Sequence, residues 1–180
     1  EASIGLVIMF INWILLARVG SYGVAAFTII NYAAWFGSSV AYAISDSLSP
    51  LVSANFGARN FVRVRRFLAL ALCLVFGNGL VLFGAFAFLG TYSLSISAFI
   101  GSAVTILEFI DWFKPAFLFS GANMALASFF TALHMAGASA VVASLRSLLF
   151  PIGFLWLLPR LFGNVGVYAA IPLAELCTLF

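Results

Sequence analysis

Residues 67–89 read FLALALCLVFGNGLVLFGAFAFL, 23 consecutive positions without a charged side chain. An α-helix needs ~20 apolar residues to cross a bilayer core of ~30 Å. The polar–apolar alternation of a barrel strand is missing, so the run reads as a helical span. Just before it, Arg59, Arg63, Arg65 and Arg66 crowd into eight positions. A basic cluster beside a span marks the end that stays in the cytoplasm.

The rest of the chain has the same character. Of its 180 residues, 65% are hydrophobic and 21 are phenylalanine. Only 7% are charged, against roughly 25% in a soluble domain. A soluble fold of this size could not hide so much apolar surface. A soluble domain, a disordered chain and a secreted disulfide scaffold are therefore excluded, leaving an all-α membrane protein. The net charge of +3 sits mostly between two apolar runs, which argues against a nucleic-acid partner. Cys73 and Cys177 lie far apart in apolar runs, with no disulfide or metal-ligand spacing.

Outward from residues 67–89, the apolar runs define six helical segments. They are expected at about 4–17, 22–46, 66–89, 108–134, 138–158 and 165–180, as one transmembrane lobe over 1–180. The polar stretch Ser45 to Pro50 is expected to end the second segment, and Ser53 to Arg66 to form a cytoplasmic loop. Gly90-Thr91-Tyr92-Ser93 reads as a turn, followed by a surface helix from Leu94 to Leu107. Pro159-Arg160 and Gly163-Asn164 mark the last loop. With the arginine loop in the cytoplasm, residue 1 lies inside and the loops near Arg18, Gly90 and Arg160 face outward. The apolar pattern is already running at Ile4 and still running at Phe180, so the segment is expected to be cut at both ends from a longer chain.

Polar groups within the spans are the functional signal. A charge at the centre of a span costs about 2.5–3.5 kcal/mol on insertion scales. Arg146 is the deepest, and Ser139, Ala143 and Ser147 share its helical face. It either caps backbone carbonyls or a carboxylate such as Glu175 or Asp46, or it binds substrate. Glu175 lies three residues after Pro172, which frees a carbonyl near Tyr168. It either joins that carbonyl in holding a cation or proton, or pairs with an arginine. Asn12, Asn31 and Asn123 lie within apolar runs and suit interhelical hydrogen bonds or a cavity wall. Glu108, Asp111 and Lys114 read as a solvated interfacial cluster in preference to an ion site. Pro115, Pro151 and Pro172 each fall in or beside a span and suit bent, moving helices. No phosphate loop, metalloprotease motif, nucleophile elbow or carboxylate pair at the centre of a span appears, so no enzyme, metal or cofactor is expected.

Two stretches resemble a known family. Ser49-Pro50-Leu51-Val52-Ser53-Ala54-Asn55-Phe56-Gly57-Ala58-Arg59-Asn60, with Arg63 and Arg65-Arg66, resembles the cytoplasmic loop after the second helix of a lobe in multidrug and toxic compound extrusion (MATE) transporters. Gly121-Ala122-Asn123, Ser128 to Ala132, Ser144-Leu145-Arg146, Leu158-Pro159, Gly163 to Tyr168, Pro172 and Glu175 resemble the last three helices of that family's C-terminal lobe. The match is closest to bacterial exporters with an acid, here Asp46, before the loop proline.

The resemblance implies a twelve-helix antiporter of the cell membrane, with this segment as its second six-helix lobe and an N-terminal lobe as its partner. Drug-like organic cations or amphipathic compounds would be exported against H+ or Na+, with the loop motif of Pro50, Asn55, Gly57, Arg59 and Arg63 at the cytoplasmic mouth. Some branches carry an acid well inside the tenth helix. Asn123 stands there instead, which points to the other lobe for the coupling acid. The alternatives are a lipid-linked oligosaccharide flippase of the related superfamily and a non-transporting membrane scaffold. A flippase favours several basic residues in the cavity, and only Arg146 is deep.

Overall fold

The computed structural model describes residues 2–97 and 103–180, and the side chains of residues 3–88 and 107–180. The described residues are helical, without strands. In chain order the helices are α1 (Ala2–Arg18), α2 (Ser21–Gly57), α3 (Phe61–Ser97), α4 (Ala103–Phe113), α5 (Ala116–Ala132), α6 (Ala136–Phe162) and α7 (Asn164–Leu179). Three of them, α2, α3 and α6, are long and apolar enough to cross a membrane. Helices α4 and α5 reach that length and apolarity only together, with a bend of 41° at the break. Pro115 explains the bend: it has no N–H for the Asp111 carbonyl, and its ring disfavours helical geometry at Lys114.

The sequence boundaries need correcting in several places. Helix α2 does not end at residue 46 but continues through Pro50 to Gly57. Its polar residues do not end the helix, because their side chains find partners on the preceding turn. The Ser45 hydroxyl donates to Ala41 O at 2.8 Å, Ser47 to Ala43 O at 2.7 Å, and the Asn55 amide to Leu51 O at 2.8 Å. Pro50, Asn55 and Gly57 are therefore helical, and the expected loop shrinks to Ala58, Arg59 and Asn60. At the other end of α3, Gly90 to Ser93 form no turn, since the helix runs on to Ser97. Of the expected surface helix, residues 98–102 lie outside the described residues. Pro159-Arg160 lies inside α6, and Gly163 alone separates α6 from α7.

The three-residue turn has a specific cause. The Asn60 amide donates to Asn55 O and the Arg59 amide to Phe56 O, each at 2.9 Å. That pair is a Schellman closure, and Arg59 occupies its left-handed position with φ 55°. Asn60 then caps α3 by accepting from the Arg63 amide at 3.3 Å. The same closure ends α5: His134 (φ 60°) donates to Thr131 O, and Met135 to Phe130 O.

Helix α5 is the central element, packed against α2, α3, α6 and α7. Gly79 and Gly121 let α3 and α5 approach closely. A Cβ at Gly79 would collide with the Phe117 carbonyl, and one at Gly121 would lie 2.9 Å from the Val75 Cβ. Side-chain bonds add to this packing: the Ser128 hydroxyl donates to Ser45 O at 2.6 Å, from α5 to α2. The largest core cluster joins α1, α2, α4, α6 and α7, with Phe86 of α3 and Phe117 of α5, around Phe109, whose ring lies 4.7 Å from Tyr168 and 5.8 Å from Phe27. Smaller clusters around Val52 and Val75 fill the part of α2, α3 and α5 nearer the Arg59 turn.

Candidate functional site

Three polar side chains meet where α5, α6 and α7 come together. Arg146 Nε donates to Glu175 Oε1 at 2.8 Å and Oε2 at 3.0 Å. From the other side, Asn123 Nδ2 donates to Glu175 Oε2 at 2.8 Å and to the Glu175 carbonyl at 2.7 Å. Glu175 is buried and Asn123 fully so. The carboxylate thus holds an arginine and an amide, and one backbone carbonyl shares the amide. Charge-assisted bonds of this kind are among the strong ones, and they tie three helices at one point.

Local geometry places Arg146 there. Leu145–Leu149 is a π turn within α6, with the Phe150 amide reaching back five residues to Leu145 O. Pro151 follows directly, and its ring would collide with the Ser147 carbonyl in an unbroken α-helix. Widening the turn relieves that collision and re-aims Arg146. Such π turns recur at functional sites. Ser147 on the same turn shares a hydrogen bond of 3.2 Å with Ser3 of α1.

A cavity of about 170 Å³ opens beside the pair. Its walls are mainly apolar, from Val7 and Ile11 of α1, Phe27 and Trp35 of α2, and Phe117 and Met124 of α5. Its polar side comprises Asn31, Tyr42, Arg146 and Glu175, with the hydroxyls of Ser38, Ser120 and Ser147. Tyr42 lines the cavity together with Arg146. An amphipathic lining of this kind suits a ligand with an apolar body and a polar or charged group.

Of the residues singled out from sequence, Asn31, Arg146 and Glu175 line the cavity, and Asn123 backs Glu175. Asn12 does not line it; its Oδ1 is buried without a hydrogen-bond partner. Asn123 Oδ1 is in the same condition. Glu175 is held by Arg146 rather than left to join the Tyr168 carbonyl. Asp46, the other partner considered for Arg146, is exposed. Glu108 and Asp111 are exposed as well, and Asp111 pairs with Lys114 at 2.7 Å. Pro50, Asn55, Gly57, Arg59 and Arg63 do not line the cavity. Sequence reasoning missed Tyr42 and Trp35, although Asn31, Trp35, Ser38 and Tyr42 follow a helical stripe of four- and three-residue steps. It also missed the π turn, whose signal was Pro151. Among the described residues, no three His, Cys, Asp or Glu side chains come together to hold a metal ion.

No protein-family model and no curated protein sequence matches the chain. Solved structures do. The chain is similar to a multidrug resistance MATE family transporter of the MOP superfamily in an outward-facing conformation, with a TM-score of 0.84 and 16% identity. It is similar to a MATE in complex with MaL6, with a TM-score of 0.86 and 15% identity. A third is a MOP superfamily transporter from Pyrococcus furiosus, described by a reversed polarity of its binding pocket that suggests a different function, with a TM-score of 0.83 and 18% identity. Each likeness covers 98% of this chain but only 40–41% of the other. At such identities the likeness is one of fold: these residues have the fold of one lobe of a MATE-type transporter.

Proposed function

We propose that these residues form one of two lobes of a bacterial cell-membrane antiporter. It exports organic cations or amphipathic drug-like compounds by alternating access, driven by H+ or Na+. The observation that carries this reading is the amphipathic cavity beside Arg146 and Glu175, set among helices that carry a π turn, Pro151 and Pro172. An aromatic and aliphatic wall accepts the body of such a compound. The polar side orients its charged or hydrogen-bonding group.

Transport then requires cargo and coupling ion to favour different states, since only differential affinity shifts an equilibrium. Glu175 is already neutralised by Arg146, which supports a coupling acid in the partner lobe. The turn at Ala58 to Asn60 sits at the cytoplasmic mouth in this reading. A flippase for a lipid-linked pyrophosphate needs uncommitted cations in the cavity; the one arginine lining it is committed to Glu175.

The test is reconstitution of the full chain in liposomes with an imposed H+ or Na+ gradient and a fluorescent organic cation. Gradient-driven movement of the dye is expected. Folded protein that moves no dye under either gradient overturns the proposal.

A further inference from the structure

A second concavity lies away from the Arg146 cavity, on the outer face between α2 and α3. It has a volume of about 530 Å³ and runs from Ser39 to Leu51 on α2 and from Phe67 to Leu74 on α3. Its floor includes buried Leu48 and Ala71, and exposed Val40, Leu70 and Leu74 form its sides. The two serines with known partners do not make it polar: Ser39 Oγ donates to Trp35 O at 3.0 Å and Ser47 Oγ to Ala43 O at 2.7 Å. Along α2 the groove spans thirteen residues, ~18 Å end to end at ~1.5 Å per residue step. That is close to ~15 Å, half of a ~30 Å bilayer core.

The end of this groove nearest the α2–α3 turn is positively charged. Arg63 lies one turn before Phe67 on the stripe that continues through Leu70 and Leu74. Arg66 flanks the same stripe one turn before Leu70, whereas Arg65 falls on the opposite side of α3. Arg59, Arg63, Arg65 and Arg66 are all exposed, and none has a carboxylate partner among the described residues. The nearest acid on α2, Asp46, does not line the groove. The N-terminus of α3 adds its own positive dipole at this end.

We infer that the groove is a binding site for one anionic phospholipid, with an acyl chain between α2 and α3 and the phosphate headgroup against Arg63 and Arg66. The charge complementarity selects the occupant: an apolar slot of one-leaflet depth, ending at unpaired arginines, matches a chain bearing a terminal anion. A zwitterionic lipid fills the slot equally well but gains less from the arginines. Basic residues at a membrane surface are the usual means of retaining anionic lipids.

Native mass spectrometry of the full chain tests this, in micelles containing equal amounts of phosphatidylglycerol and phosphatidylcholine. The wild type is expected to retain one phosphatidylglycerol, with roughly twenty-five-fold preference from two arginines. Arg63→Gln should lower that preference about five-fold, while Arg65→Gln, which removes an equal charge from the other side, should leave it unchanged. Ala43→Trp and Leu74→Trp fill the groove from either wall, and whichever folds should lose the retained lipid. Equal retention of both lipids overturns the inference, as does an equal effect of Arg63→Gln and Arg65→Gln. Retention that survives groove filling also overturns it. So does a wild type that retains no lipid, because the groove is then closed by the partner lobe or a second copy.

Discussion

Arg146 and the arginines around the α2–α3 turn put the same guanidinium to opposite uses. Arg146 is one-fifth exposed and bonded through Nε to a buried carboxylate. The four at the turn are exposed and have no carboxylate partner among the described residues. What differs is the surroundings. Away from water an arginine is tolerable only with its partner, so removing one member costs far more than the pair contributes. At a surface the ion is already solvated, and its charge acts on orientation and on what lies nearby. A count of seven arginines therefore says little about stability; their placement says nearly everything.

The largest expected effect breaks the buried half of this comparison. Arg146→Ala strands Glu175 and is expected to cost about 3–5 kcal/mol. Arg146→Lys should fall between, because it keeps the charge but loses the planar set of donors. Folded yield and thermal melting of the full chain read this directly. If Arg146→Ala folds and melts like the wild type, the distinction between the two groups of arginines fails.

Asn123→Ala should do less damage. It removes both amide bonds to Glu175 but leaves the arginine, for a cost of about 1–3 kcal/mol. A loss as large as that of Arg146→Ala would show that the amide, not the arginine, holds the carboxylate.

At the turn, one substitution should stabilise. Arg59 holds φ 55°, a conformation that costs a side-chain-bearing residue about 1 kcal/mol or more and glycine almost nothing. Arg59→Gly is expected to raise the melting temperature by the equivalent of about 1 kcal/mol. A drop would mean that the Arg59 side chain contributes to the fold despite its exposure. Smallest of all, Arg65→Gln or Arg66→Gln should change stability by no more than about 0.5 kcal/mol. A larger loss in either would blur the contrast from the exposed side.

The fold was legible because its determinants are long. Unbroken apolar runs of span length and a basic cluster do not depend on fine geometry. Boundaries were less so, for a physical reason: Ser45, Ser47 and Asn55 look like loop residues but satisfy themselves on the preceding helical turn. Pro50 likewise reads as a stop, yet α2 continues through it. The candidate site was half legible. Arg146, Glu175 and Asn123 stood out because each is costly in an apolar run, and Glu175 was one of two partners considered for Arg146. That Asn123 joins the same carboxylate was not visible, because three helices bring residues 123, 146 and 175 together and no spacing encodes that. Tyr42 escaped notice because a tyrosine in an apolar run carries no evident cost.

Whether Arg146 and Glu175 form one unit joining α6 to α7 beside the cavity is decided by a double-mutant cycle. Arg146→Ala, Glu175→Ala and the double variant are made in the full chain, and their thermal stability is compared. Each single variant leaves an ion unmatched, either the buried Glu175 or the largely covered Arg146. The double variant should then be no worse than the worse single, with a coupling of about 2 kcal/mol or more. Losses that simply add would contradict it, because the two residues would then act independently.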